Sequence, residues 1–494
     1  MKKRFIALVL AMAILMGASV PAFAKTQTPD ASPDSSQTVG DLPLVIVRGM
    51  GFGDLVVDYG NGKIDKAVQP INALEIVTTL LKTLGQGLYY WDLDRALTTL
   101  TDYVAGIFAG VECDKNGDPI YRAAIPTFPL AAENYEELMG DGEGLCEMNI
   151  VKGAIDRFGG DRTYYFAYDW RVDPLENADG IDAIIDQALA DSGADKVNLV
   201  CASLGGINTV AYMTKYGYEK LNNVVFVSST IYGSYIASDV LSGDVSLDAE
   251  TIYQVLAFEV RDSQAGSLAL KALHKAGAFK ALIGLANGLV DFLKDRIYED
   301  VLKATLGYAP SYWALILPES YADAVDYLLG DNLEENAAFI ERTDRLQAMV
   351  AGRDDMLRRA VADGVGISLI SGYNKAPIPI GKRGSSHGDG TLDSALMAGG
   401  ATVANFGFDL GPNYLPQRAE CLSPDRIVDT SGCLFPDYTW MIKDGPHVGC
   451  RHGSEYAEFM FTLATFDGQP TVHSFPQYPR FMQTNREQEM FALQ

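Results

Sequence analysis

Between Lys196 and Val210 the chain reads KVNLVCASLGGINTV, and this stretch constrains the fold more than any other. An apolar run over Val197–Cys201 leads into Ser203, glycines follow at 205 and 206, and helical apolar spacing resumes at once over 204–214. A strand that passes into a helix through so short a turn strains the backbone at its apex and lifts the apical hydroxyl clear of the sheet. The residues two before and two after the apex must then be small, so that strand and helix can approach. Gly205 meets the second condition. Cys201 stands where glycine is usual and meets the first, being small and tolerant of burial; Ala202 fills a place often held by His. A plain strand–turn–helix link with an inert serine is the competing reading.

Around this turn, strands alternate with helices, the signature of a mainly parallel sheet. Leu44–Val47, Thr163–Ala167, Val197–Cys201 and Val224–Val227 read as strands, with helices over Ile181–Ala190 and Leu204–Thr214. Gly366–Ile370 and Tyr438–Ile442 read as the final strands, and Glu455–Thr465 as a closing helix. Two regions interrupt the alternation. The first, 54–150, is expected to hold helices over Asn72–Leu84 and Leu93–Phe108. The second, 231–363, is almost wholly helix-like, with Ala265–Leu293 amphipathic. Insertions of that size are uncommon as bare loops and often serve as lids. The expected fold is therefore the α/β-hydrolase type, a doubly wound, mainly parallel sheet with helical cap or lid insertions. Its core is expected over 42–230 and 364–482, its cap over 231–363, and a tail over 483–494.

A serine hydroxyl is a weak nucleophile at neutral pH and needs a base, itself oriented by an acid. In this fold the chain order is serine, acid, histidine. Gly388-Asp389-Gly390-Thr391-Leu392 follows a predicted strand and puts Asp389 on a tight loop, although a surface Asp-Gly turn reads the same way. Of five histidines, His274 lies in the helical insertion and His387 precedes the acid, so order disfavours both. His447 follows the strand 438–442 and precedes the closing helix. His452 stands at the helix entrance and is the alternative base. His473 reads as a tail residue. Two backbone N–H groups are needed to stabilise a tetrahedral oxyanion, and Leu204 and Met50, in the Gly49-Met50-Gly51 turn, are placed to supply them. A phosphate loop is disfavoured there, because neither a Gly-Lys-Ser/Thr ending nor the dinucleotide fingerprint is present.

The first 24 residues read as a signal peptide: Lys2, Lys3 and Arg4, an apolar run over Phe5–Met16, then Ala22-Phe23-Ala24. The run is short of the ~20 residues of a spanning helix, though an uncleaved anchor is the alternative. Residues 25–41 read as a flexible lead-in, so the chain is expected to be secreted after cleavage near Ala24. The formal net charge of −25 argues against nucleic acid, whose binding rests on Lys and Arg, and leaves apolar contact with lipid open. Six cysteines are too few for a disulfide framework at this length. Cys421 with Cys433, and Cys113 with Cys146, flank loops and are candidate pairs; Cys201 reads as a buried thiol. None has zinc-ligand spacing.

Four blocks resemble the lecithin:cholesterol acyltransferase family, which includes lysosomal phospholipase A2 and related bacterial proteins. Pro43–Gly51 is similar to its first strand and oxyanion turn, with Arg48 where proline is usual. Ala167-Tyr168-Asp169-Trp170-Arg171 resembles its Pro-Tyr-Asp-Trp-Arg signature, Cys201–Gly206 its elbow and Gly388–Leu392 its acid loop. The segment Ser311–Pro318 looks like part of its cap. The likeness is confined to these blocks. It implies attack by serine on a phospholipid-like ester, giving an acyl-enzyme that water or an alcohol then relieves, without metal or organic cofactor. The expected function is thus a secreted lipid acyl hydrolase or O-acyltransferase, with transient lipid-surface contact through the insertions. A short-chain carboxylesterase or peptidase on the same fold, and a catalytically inactive exported binding protein, are the alternatives.

Overall fold

A computed structural model describes residues 42–494, apart from 52–54, 61, 70–101, 103–104, 141–144, 262, 278–279, 282, 285–286, 289–297, 377, 379–380, 382, 384–385 and 449. The expected signal peptide, the lead-in and the helix 72–84 lie outside the described residues, as does most of 93–108.

The core elements follow in chain order as β1 (Leu44–Val47), α1 (Met148–Phe158), β2 (Thr163–Phe166), α2 (Pro174–Ser192), β3 (Val197–Ala202), α3 (Gly205–Tyr216) and β4 (Leu221–Val227). After the cap come α4 (Ala337–Ala362), β5 (Gly366–Tyr373), β6 (Thr439–Lys443), α5 (Glu455–Ala464), β7 (Phe481–Thr484) and β8 (Met490–Ala492). They build one eight-stranded sheet in the order β8-β7-β6-β5-β4-β3-β1-β2. Every neighbouring pair is parallel except β7 with β8. This is the doubly wound architecture of the α/β-hydrolase fold.

Burial on both faces explains why the central strands read as unbroken apolar runs. Successive side chains point to opposite faces. Val45, Val47, Leu199, Cys201, Val224 and Phe226 join one core with Ile181 and Ile185 of α2 and Ile207 and Val210 of α3. Their neighbours Leu44, Ile46, Val200, Ala202, Val225 and Val227 join the other, with Val151 and Ala154 of α1 and Phe459, Met460 and Leu463 of α5. Helix entry is fixed by capping. Asp173 accepts from the Leu175 N–H ahead of Pro174 in α2, and Ser454 caps α5 through the Ala457 N–H.

The cap departs after β4 through helices Tyr235–Leu241, Ala249–Glu259 and Gln264–Lys275, a π-helical turn over Tyr298–Gly307, and Pro318–Leu329. Trp313, Ile316, Leu328, Leu329 and Phe339 give it a core of its own. Of the amphipathic stretch 265–293, the described helix runs to Lys275.

Three expectations need correction. The sheet does not end with 438–442: β7 and β8 extend it, so the supposed tail 483–494 contains an edge strand. The first insertion is not only helical, since Val56–Asp58 pairs with Ile64–Lys66 and with Arg122–Ala123 in a small antiparallel sheet. Neither candidate disulfide forms: Cys113 is not bonded to Cys146, nor Cys421 to Cys433. The 421–433 loop is closed instead by backbone bonds, Thr430 N–H to Cys421 O at 2.9 Å and Ser423 N–H to Val428 O at 2.8 Å.

Candidate active site

Ser203 follows β3 directly and adopts φ +49°, a left-handed conformation that a non-glycine residue holds only when its surroundings impose it. Here its backbone is held on both sides. Its N–H donates to Val227 O at the end of β4 (3.2 Å), and its carbonyl accepts from the N–H groups of Gly206 (3.1 Å) and Thr230 (3.0 Å). The glycines have steric reasons. A Cβ at 205 would stand 2.6 Å from the carbonyl oxygens of both Val47 and Arg48, and one at 206 would strike Ser229. Cys201 is fully buried on the α2/α3 face with its thiol 3.6 Å from Val225 O, and burial pushes its ionisation well up. It packs, and the elbow closes around it.

The imidazole of His447 joins Ser203 to Asp389. Nε2 lies 3.1 Å from Ser203 Oγ, and Nδ1 lies 2.7 Å from Asp389 Oδ2. With Nδ1 donating to the carboxylate, Nε2 is left as the acceptor for the serine proton. Asp389 Oδ1 accepts from the Thr391 and Leu392 N–H groups at 3.0 and 2.9 Å. Burial pushes this carboxyl up, yet the His447 charge and hydrogen bond together with those two N–H groups outweigh it and hold it below its usual range. The loop carrying His447 is strained on both sides, with φ +60° at Asp444 and +41° at the β-branched Val448.

The 49–51 turn packs against the elbow: a Cβ at Gly49 would stand 3.0 Å from Ser203 Cβ. Among the described residues, neither the Met50 N–H nor the Leu204 N–H makes a hydrogen bond, so both remain open to a ligand oxygen. Arg48 braces the turn from below, donating from Nη2 to Tyr168 O (2.8 Å) while the Tyr168 hydroxyl donates to Arg48 O (2.9 Å). The rest of that motif is structural in its contacts. Arg171 pairs with Asp169 through Nε (2.9 Å) and Nη2 (2.6 Å) and also donates to the carbonyls of Gly110 and Tyr121, tying the first insertion to the end of β2.

The other histidines lie elsewhere. His452 pairs at the surface with Asp156 (2.5 Å). His387 is buried against Phe408 O, and burial lowers its pKa to about 4. His274 stacks on Tyr253, and the His473 N–H donates to Thr471 Oγ1. Sequence reasoning passed over Lys375 and Asp393, which flank the acid loop; neither carries a motif. Among the described residues no group of three or more His, Cys, Asp or Glu side chains is disposed to hold a metal.

No family model and no curated protein matches the chain. A solved structure, described as the crystal structure of the Tle4–Tli4 complex, aligns with 86% of this chain and 97% of its own at 15% identity and TM-score 0.29. A likeness that distant carries no inference about activity.

Proposed function

We propose that the chain is an exported serine acyl hydrolase or O-acyltransferase acting on lipid esters through an acyl-enzyme on Ser203. The observation that carries this reading is the hydrogen-bonded relay Ser203–His447–Asp389 at the carboxyl ends of β3, β5 and β6. In the first half-reaction His447 Nε2 takes the Ser203 proton as Oγ attacks the ester carbonyl. The oxyanion is received by the Met50 and Leu204 N–H groups, and the imidazolium then returns the proton to the departing alkoxide. In the second, water or an alcohol gives its proton to Nε2 as it attacks the acyl carbonyl, and the imidazolium returns that proton to Ser203 Oγ as the acyl–Oγ bond breaks. Asp389 holds the ring in the required tautomer and stabilises its cationic form.

The lipid preference is supported by the cap surface. Helix Gln264–Lys275 has no buried residue and exposes Leu268 (71%) and Leu273 (52%), apolar side chains that a lipid surface would accept. Among the described residues no helix is long and apolar enough to cross a membrane.

The test is labelling with a fluorophosphonate probe alongside ester hydrolysis. Ser203→Ala is expected to abolish both, and full activity in that variant overturns the assignment. An acyl-length series is expected to favour long chains; a short-chain optimum supports a carboxylesterase instead. Failure of the unaltered protein to label or turn over any ester supports the inactive binding protein.

A further inference from the structure

A side chain from the root of the cap reaches the oxyanion turn. The Tyr312 hydroxyl donates to Met50 Sδ at 3.7 Å, and Met50 is the residue whose N–H is to receive the oxyanion. Burial pushes the ionisation of this phenol up, so it keeps its proton and is the donor. Among the described residues the hydroxyl makes no other hydrogen bond.

Tyr312 is itself firmly held. It lies in the short helix Pro310–Trp313, which is tied down through the residues around it. Trp313 Nε1 donates to Gly307 O (2.8 Å), and Gln347 Nε2 of α4 donates to the carbonyls of Trp313 (3.0 Å) and Ile316 (3.2 Å). The Leu317 N–H donates to Ser238 Oγ at 2.9 Å. The Tyr312 ring meets the fully buried Trp170 edge to face, with centroids 5.8 Å apart. It packs against both the sheet core and the separate core of the cap.

The turn it touches gains from being held. Glycines flank Met50 on both sides, and Gly51 takes φ +58°, so the turn itself imposes little on the direction of the Met50 N–H. An oxyanion donor must nevertheless lie within hydrogen-bond distance of a fixed point. Arg48 and Tyr168 brace the start of the turn from below, and the Tyr312 hydroxyl meets it from the cap side. A methionine side chain has three rotatable bonds and adapts to whatever grips its far end. Fixing the sulfur therefore restrains the backbone at the other end.

We propose that Tyr312 is a positioning residue for acyl transfer: its hydroxyl holds the Met50 side chain and thereby aims the Met50 N–H at the oxyanion. The inference rests on the acyl-enzyme reading and deepens it, because it makes the oxyanion hole depend on how the cap is seated. Tyr312 acts through Met50 and takes no part in the proton transfers.

Three quantities test this: hydrolysis of a dissolved ester, affinity for an alkylboronic acid, and affinity for an uncleavable ether analogue in protein also carrying Ser203→Ala. Ser203 Oγ converts the boronic acid into a tetrahedral boronate with an oxygen in the hole, whereas the ether mimics the ground state. Tyr312→Phe keeps the ring and removes the hydroxyl. It is expected to lower kcat and boronic acid affinity about 3- to 10-fold, the range of one neutral hydrogen bond, with KM and ether affinity unchanged. Met50→Leu keeps the N–H, removes the sulfur, and is expected to do the same. The double variant is expected to be no worse than either single one. A loss confined to KM and the ether, or an unchanged kcat in either single variant, overturns the proposal. So does a Tyr312→Phe loss repeated in full on the Met50→Leu background. Absence of both ester hydrolysis and boronic acid binding in the unaltered protein removes the acyl-enzyme reading instead.

Discussion

A Cβ on Gly205 would stand 2.6 Å from the carbonyl oxygen of Val47, so the first turn of α3 rests directly on the end of β1. That carbonyl belongs to backbone fixed between β3 and β2 and cannot withdraw as a side chain would. Gly205→Ala must therefore push α3 off the sheet or displace the 48–51 turn. The expected cost is about 1–3 kcal/mol of stability, read from the urea midpoint. kcat/KM is expected to fall about 100-fold, because misplacing reacting groups by an ångström has effects of that size. A variant with unaltered midpoint and rate would mean that the close approach is not needed.

The two candidate bases differ in what they touch. His447 faces Ser203 and Asp389, whereas His452 faces Asp156 on the surface. His447→Ala is expected to lower kcat by about 1,000-fold or more, and His452→Ala to stay within about threefold, an exposed pair being worth no more than about 1 kcal/mol. Parallel initial rates on one ester decide the matter. Inactivity confined to the His452 variant would reverse the roles.

What the sequence made legible follows from how each element is buried. β1 and β3 are covered on both faces, so their apolar runs are continuous and their limits plain. β7 and β8 lie at the sheet edge, are short, and leave Gln483 and Phe491 exposed, which gives no period to read. Chain order drew attention to Asp389, and the position after the strand 438–442 favoured His447 while leaving His452 as the alternative. What holds His452 elsewhere is Asp156, 296 residues away in the chain. Spacing suggested a Cys421–Cys433 staple because it cannot show that backbone hydrogen bonds already close the loop.

The exposed leucines of the cap give a surface prediction. Leu268 and Leu273 stand on a helix that buries no residue of its own. Transfer of such a side chain from water contributes about 1.5–3 kcal/mol when complete. Leu268→Ser with Leu273→Ser is therefore expected to reduce co-flotation with phospholipid vesicles about tenfold or more, while hydrolysis of a dissolved short-chain ester continues. No flotation of the unaltered protein would remove lipid docking from the account.

Asp393 closes the acid loop against the cap, its Oδ2 accepting from the Tyr235 N–H at 3.3 Å. Burial, reinforced by the charges of Asp389 and Asp239 and partly opposed by backbone hydrogen bonds, raises this carboxyl to a pKa of about 7. In the unfolded chain it titrates near 4, so the folded form keeps a proton that the unfolded form gives up. The neutral carboxyl therefore leaves stability intact below about pH 4. Stability falls as pH rises from about 4 to 7, and the loss is complete above that. Asn keeps an oxygen to accept from Tyr235 and cannot ionise. Asp393→Asn is thus expected to match the unaltered protein at pH 4 and exceed it by on the order of 2 kcal/mol at pH 8, read from urea midpoints at the two pH values. Asp389 shifts in the opposite sense and loses its contribution as pH falls, so the comparison is made at pH 4 and above, where its carboxylate is ionised in both folded proteins. An equal change in midpoint at both pH values would show that Asp393 does not hold its proton in the folded state, and that the junction of cap and acid loop is indifferent to pH.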